Sequence, residues 1–189
     1  RRALALALDV TDERSLAAAV AGSVEALGRL DGFVNNAGIL RLGPALEAPA
    51  ADFQAQMNVN AQAVLLGCQA AARQMKAQGT GGSIVNVASN AGKVGYRNMA
   101  GYNASKAAVI SLTRSLSLEW SEARINVNAV CPGPTITGMT KKATPERLAY
   151  TAAKIPLGRW VSAEDVASRV MEAIESERFL ILPHPQVRD

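Results

Sequence analysis

The run Ser83-Ile84-Val85-Asn86-Val87-Ala88, preceded by Gly79-Thr80-Gly81-Gly82, decides the fold of this chain. A short apolar stretch rich in β-branched residues, set off by glycines, reads as a buried strand. An alanine-rich helical stretch follows over residues 100–120, and a second strand-like run over residues 125–131. A strand, a helix and a strand in that order argue for a parallel pair joined by a crossover. The alternation continues in both directions. Upstream are a strand over residues 32–35 and a long helical pattern over 52–78, stopped by the glycine cluster. Before them, residues 12–27 read as a helix capped by Thr11 or Asp12, and residues 3–8 as a strand. Downstream, Ser162-Ala163-Glu164-Asp165 opens a helix over residues 163–176, and Phe179-Leu180-Ile181-Leu182 reads as a last strand. Residues 138–159 have weak periodicity and read as a mobile loop with a short helix, placed to line a substrate. The expected fold class is α/β: one domain on a doubly wound parallel sheet with helices on both faces.

Composition narrows the function. The chain has 189 residues, 49% hydrophobic and 19% charged, enough for one packed core. No stretch approaches the ~20 apolar residues of a membrane span. The start, Arg1-Arg2-Ala3-Leu4-Ala5-Leu6-Ala7-Leu8, has the charge and apolar character of a leader, but its apolar part ends at Asp9 and it reads as a strand. Net charge is +4, with the basic residues scattered and only 4% aromatic side chains, which sets composition against a nucleic-acid partner. Cys68 and Cys131 have no metal-ligand spacing and read as reduced thiols of a cytoplasmic protein. The single histidine, His184 in Pro183-His184-Pro185, reads as a loop residue, and no metal site is expected.

Chemistry enters with Tyr102 and Lys106, one helical turn apart in Tyr102-Asn103-Ala104-Ser105-Lys106, and with Ser89 thirteen residues before the tyrosine. A free phenol titrates near ~10 and is a poor acid or base at neutral pH. A lysine at i+4 places a positive charge on the same helix face and favours the phenolate. Lowering the phenol by about 3 units needs roughly 4 kcal/mol, more than one charge supplies, so a further positive charge nearby would add to it. A serine hydroxyl can hold the reacting oxygen against the phenol.

In chain order the motifs are Leu8-Asp9-Val10, Asn35-Asn36-Ala37-Gly38, Asn58-Val59-Asn60, residues 84–89, residues 102–106, Asn126-Val127-Asn128-Ala129-Val130-Cys131-Pro132-Gly133, and Thr137. This series resembles the short-chain dehydrogenase/reductase family, from Asp9 to about Ala167. The resemblance implies a Rossmann-type oxidoreductase that uses NAD or NADP to interconvert a secondary alcohol and a ketone or aldehyde. It implies Tyr102 as general acid and base, Lys106 lowering its pKa and bonding the nicotinamide ribose, Ser89 positioning the substrate oxygen, and Asn60 holding a water that completes a proton relay. For the dinucleotide it implies Asp9 and Val10 at the adenine, Asn36, Ala37 and Gly38 at the ribose, Pro132 and Gly133 beneath the nicotinamide, and Thr135 and Thr137 at its carboxamide. It also implies a homodimer or homotetramer through the helices over residues 52–78 and 100–120.

One family element has no counterpart in the sequence. A dinucleotide fold opens with a strand, a glycine-rich turn and a helix. Here Gly79-Thr80-Gly81-Gly82 follows a helix and precedes a strand. The strand ending at Asp9 would then be the third of the family sheet, with about two βα units lying upstream. Without them residues 3–8 have no adjacent strand, and the 189 residues read as an inactive fragment of an active enzyme. A regulatory protein that senses dinucleotide without turnover is the alternative. The residue that selects NAD against NADP commonly ends the second strand, so both cofactors stay open.

Overall fold

The computed structural model describes residues 2–138, 140, 144–153, 155 and 158–176. Three parallel strands form the central sheet in the order β1 (Gly32–Asn35), β2 (Gly82–Val87) and β3 (Ile125–Val130). The register sets Asn35 beside Asn86 and Val87 beside Val130, so the three strands end together at one edge. The connections are helical, as the alternating pattern requires. Helix α1 (Glu13–Leu27) precedes β1, α2 (Ala50–Met57) and α3 (Ala63–Gln78) lead to β2, and α4 (Ala100–Glu119) leads to β3. Beyond β3 come β4 (Thr135–Ile136), α5 (Pro145–Ala152), β5 (Val161–Ser162) and α6 (Ala163–Glu175). Strands β4 and β5 pair in a small parallel sheet that periodicity did not announce, being two residues each.

Local chemistry fixes the helix ends. Asp12 caps α1 by accepting from the Arg14 amide at 2.9 Å, which decides between the two candidate caps. Ser162 and Asp165 form a reciprocal capping box at α6. Gly79, at φ 71°, ends α3 in the left-handed conformation. The short helix expected within residues 138–159 is α5. The strand read over residues 179–182 and His184 lie outside the described residues.

Apolar burial falls on both faces of the sheet. On one, Val64, Cys68, Ala71 and Met75 of α3 pack with Val109 and Leu116 of α4 against Ile84, Ile125 and Val127. On the other, Val170 and Ala173 of α6 cover Val85 and Val130. Among the described residues, no helix is long and apolar enough to cross a membrane.

Two expectations are corrected. Residues 3–8 form no strand, and no backbone hydrogen bond joins them to a described residue. A strand needs a ladder partner, and among the described residues none is bonded to this segment. Its alternation survives in another form: Leu4, Leu6 and Leu8 join Leu16, Val20 and Phe33 around a cleft of about 210 Å³. The long helix read over residues 52–78 is also not uniform. A wider, π-type turn over Asn58–Gln62 separates α2 from α3, and Asn60 lies within it. Such turns re-aim side chains and recur at functional sites.

Polar side chains tie these layers together. Asn86, fully buried in β2, accepts from Asn35 Nδ2 at 2.8 Å and donates to Thr113 Oγ1 of α4 at 3.0 Å. The Cys68 thiol also points to Asn86 Oδ1, at 3.3 Å.

Candidate active site

The C-terminal ends of β1, β2 and β3 bring together Asn36 to Gly38, Ser89 and Pro132 with Gly133. In parallel sheets this edge is where ligands gather. Helix α4 begins beside it and contributes Tyr102 and Lys106 from its first two turns.

Ser89 is extended and caps a short 3₁₀ turn over Asn90–Gly92, its Oγ accepting from the Ala91 amide at 3.1 Å. The same hydroxyl lies on the side of the Tyr102 phenol and favours its ionised form. Burial pushes the phenol above its ordinary range, and the Ser89 hydrogen bond opposes that shift. This differs from the expectation that Lys106 lowers the phenol. Lys106 is itself buried, 4% exposed, and donates from Nζ to the Val87 carbonyl at 2.7 Å. Its ammonium stands 5.7 Å from the centre of the Tyr102 ring. Burial lowers its pKa to about 8, with Cys131 nearby opposing the shift. Loss of water around both groups outweighs their mutual effect.

Asn60 is held from three directions. Its Oδ1 accepts from the Ile39 amide at 2.8 Å, and its Nδ2 donates to the Ile39 carbonyl at 2.9 Å and to Ser105 Oγ at 3.0 Å. These bonds tie the loop after β1 to the face of α4 between Tyr102 and Lys106. Gly38 completes the contact. A Cβ there would stand 3.4 Å from Asn60 Oδ1 and 3.6 Å from Lys106 Nζ.

The expected cofactor residues divide into groups. Val10, Asn36 and Ala37 line one cleft of about 160 Å³ beside β1. Asp9 remains exposed, its carboxylate accepting from the Thr11 amide and hydroxyl, which hold its pKa below the usual range. Pro132 accepts from the Asn90 amide at 3.0 Å. Thr135 donates to the Gly133 carbonyl at 3.0 Å, while Thr137 accepts and donates locally with Thr140. Among the described residues no cluster of His, Cys, Asp or Glu could hold a metal.

Several residues at this site have no sequence signal. The Val87 carbonyl that receives Lys106, and Ser105 that receives Asn60, are visible only once α4 lies against β2. Asn90 donates from Nδ2 to the Tyr96 hydroxyl at 2.8 Å, and Asn103 donates to the Tyr96 carbonyl at 3.0 Å. Asn103 Oδ1 is buried without a hydrogen-bond partner.

Comparison with known proteins gives the same picture. Residues 1–148 match the short chain dehydrogenase family. The chain is 39% identical over 168 residues to a 2-dehydro-3-deoxy-D-gluconate 5-dehydrogenase of Dickeya dadantii, covering 88% of this chain and 66% of that protein. It is 43% identical over 179 residues to a protein of Xanthobacter autotrophicus named inactive 2-(S)-hydroxypropyl-CoM dehydrogenase 2, covering 92% of this chain and 77% of the relative. The crystal structure of a short-chain type dehydrogenase/reductase from Mycobacterium marinum superposes with a TM-score of 0.85 at 33% identity, over 90% of this chain and 67% of that one. The chain thus spans about two thirds of the length of the first of these relatives. With the parallel sheet, the shared fold and a family match over most of its length, this chain belongs to the short-chain dehydrogenase/reductase family.

Proposed function

We propose that the protein is an NAD(P)-dependent oxidoreductase that interconverts a secondary alcohol and a ketone or aldehyde, with Tyr102 as the proton-transfer group. The observation that carries this reading is the convergence of the Ser89 turn and the start of α4 at the edge of the sheet, with Gly92 against the Lys106 backbone and the Lys106 ammonium 5.7 Å from the centre of the Tyr102 ring. Two hydroxyls at one point can grip a single substrate oxygen, one positioning it and the other exchanging its proton. The small residues Asn36, Ala37 and Gly38 fit a dinucleotide, because they let a ligand approach the backbone beside Asn60 and Lys106. Val10, Asn36, Ala37, Gly38, Lys106, Pro132, Gly133, Thr135 and Thr137 would hold it, with Asp9 at the outer end. The bound nicotinamide supplies the hydride donor or acceptor.

The chain's own work is on the proton. In carbonyl reduction Tyr102 donates to the developing alkoxide, and in alcohol oxidation it removes the hydroxyl proton. Ser89 holds the oxygen through both directions. Lys106 stabilises the phenolate by charge, and its release from the Val87 carbonyl toward a ribose hydroxyl would bring that charge into play. Asn60 keeps the loop after β1 against α4, and with an ordered water it would pass the proton outward. NAD and NADP are equally compatible with these residues.

A homodimer or homotetramer through α3 and α4 belongs to this reading. Of the apolar residues on those helices, Val64, Ala71 and Leu116 are core, while Leu118 is 79% exposed. Light scattering on the full-length protein checks the state, and a monomer at micromolar concentration refutes it. The unpaired thiols of Cys68 and Cys131 accord with the cytoplasm as the proposed compartment.

A second reading, a dinucleotide-binding protein without turnover, is favoured by the relative whose name calls it inactive. The test is Tyr102→Phe in the full-length protein, assayed on a panel of secondary alcohols with NAD and NADP. Turnover should fall by about a thousandfold or more while dinucleotide affinity stays within about twofold. Equal turnover in wild type and mutant overturns the assignment of Tyr102, and dinucleotide binding with no turnover in wild type favours the second reading.

A further inference from the structure

We infer that the substrate carries a hydroxyl on the carbon adjacent to its reacting carbon, and that Asn90 and Tyr96 recognise it. The inference rests on the oxidoreductase reading and extends it to a substrate class, the vicinal diols and their hydroxycarbonyl partners.

Three polar side chains run in series outward from the reaction centre. Ser89 Oγ lies 3.4 Å from Asn90 Oδ1, and Asn90 Nδ2 donates to the Tyr96 hydroxyl at 2.8 Å. Tyr96 is 41% exposed, so the series ends at solvent. It is anchored along its length. The Asn90 amide donates to the Pro132 carbonyl at 3.0 Å, and the Asn90 carbonyl accepts from the Lys93 and Val94 amides at 2.9 and 3.0 Å. Asn103, the residue after Tyr102, holds the Tyr96 carbonyl at 3.0 Å. With the backbone held at both residues and their side chains bonded to each other, the pair presents its remaining polar capacity in a constant direction.

That capacity suits hydroxyl groups. Asn90 uses one amide hydrogen on Tyr96 and keeps the other, its Oδ1 can accept further bonds, and the Tyr96 hydroxyl keeps its hydrogen. Donors and acceptors therefore alternate beyond Ser89, as they do along successive carbinol carbons. With an oxygen of the substrate between Ser89 and Tyr102, an adjacent hydroxyl falls toward Asn90. A plain alkyl group there would strip water from Asn90 and Tyr96 without replacing its hydrogen bonds. Sites built to bond a substrate hydroxyl discriminate strongly against analogues that lack it.

The experiment compares kcat/KM of the full-length protein, with NAD or NADP, on matched pairs: 2-butanol against 2,3-butanediol, and cyclohexanol against 1,2-cyclohexanediol. The diol of each pair should be preferred by about tenfold or more. Tyr96→Phe, which keeps the ring, and Asn90→Ala should each reduce that ratio by about fivefold or more. Turnover of both members without preference, or variants that leave the ratio unchanged, overturns this inference while the oxidoreductase reading stands. Turnover of neither member, nor of any alcohol in the wider panel, sinks that reading and this inference with it.

Discussion

Gly92 rests on the backbone of Lys106. A Cβ at Gly92 would stand 2.6 Å from the carbonyl carbon and oxygen of Lys106 and 2.8 Å from the amide nitrogen of Ala107. The turn that carries Ser89 is thereby seated directly on the helix that carries Tyr102, and the spacing between their hydroxyls is set by the lack of a side chain.

Gly92→Ala must push that turn away, because the obstacle is backbone and cannot rotate aside. The displacement should lower kcat about tenfold or more, since small misplacements of reacting groups are costly. Dinucleotide affinity should fall less than kcat, because the displaced turn carries Ser89 and not the residues that follow β1. Gly95→Ala is the control, because nothing lies within 4 Å of a Cβ at Gly95. Steady-state kinetics and a binding titration on both variants decide it; an unimpaired Gly92→Ala enzyme would disprove the spacing argument.

Lys106 should make stability depend on pH in the alkaline range. Its pKa is 10.5 in an ordinary setting and about 8 in the fold. Between those values the unfolded chain keeps a proton that the folded chain has lost, so stability rises with pH through the window. Below about pH 8 both states hold the proton and the burial penalty, about 3 kcal/mol, is present in full. Lys106→Met should therefore raise Tm at pH 7 and flatten the rise above pH 8, while weakening both turnover and dinucleotide affinity. Thermal melts from pH 7 to 10.5 on both proteins provide the check.

Asn86 is expected to be a stability residue. Its replacement by alanine leaves Asn35 Nδ2 without its 2.8 Å acceptor and Thr113 Oγ1 without its 3.0 Å donor. Asn35 Nδ2 keeps longer contacts to the Val64 carbonyl and Cys68 Sγ, and Thr113 Oγ1 still donates to the Val109 carbonyl, so urea unfolding of Asn86→Ala should show a loss of about 2 kcal/mol. A loss below about 1 kcal/mol would mean that water replaces the amide.

Amides of residues 3–8 in the 189-residue chain should exchange with solvent freely. The segment makes no backbone hydrogen bond to a described residue, although its half-exposed leucines line a cleft beside α1. Contact between side chains does not protect an amide; a bonded acceptor does. Hydrogen exchange read by mass spectrometry should separate this segment from β2, whose amides are paired on both sides. Calorimetric titration of the same chain with NAD(H) and NADP(H) tests the weak binding expected of it.

Much of the fold was legible because its signals are local. Asp12, Gly79 and the Ser162–Asp165 pair announce helix ends with side chains that bond within a few residues. The apolar runs of β2 and β3 mark largely buried strands, whereas β1, with Val34 half-exposed, is marked by its place in the alternation. The failures were long-range in origin. Residues 3–8 have a strand's alternation, but pairing depends on a neighbour that pattern cannot supply. The wider turn over Asn58–Gln62 has no signature of its own, since it arises where Asn60 is drawn to Ile39 and Ser105.

The sequence by itself determined the order of the three central strands and the helices around them, the spacing of Tyr102 and Lys106 on one helix face, and the family. Those depend on period, capping and motif, which are properties of neighbouring residues. Only the tertiary structure decided which groups meet: Lys106 with the Val87 carbonyl, Gly92 with the α4 backbone, Asn60 with Ser105, and Asn90 with Tyr96. It also decided the pKa directions, because loss of water depends on everything packed around a group and not on the charge one turn away.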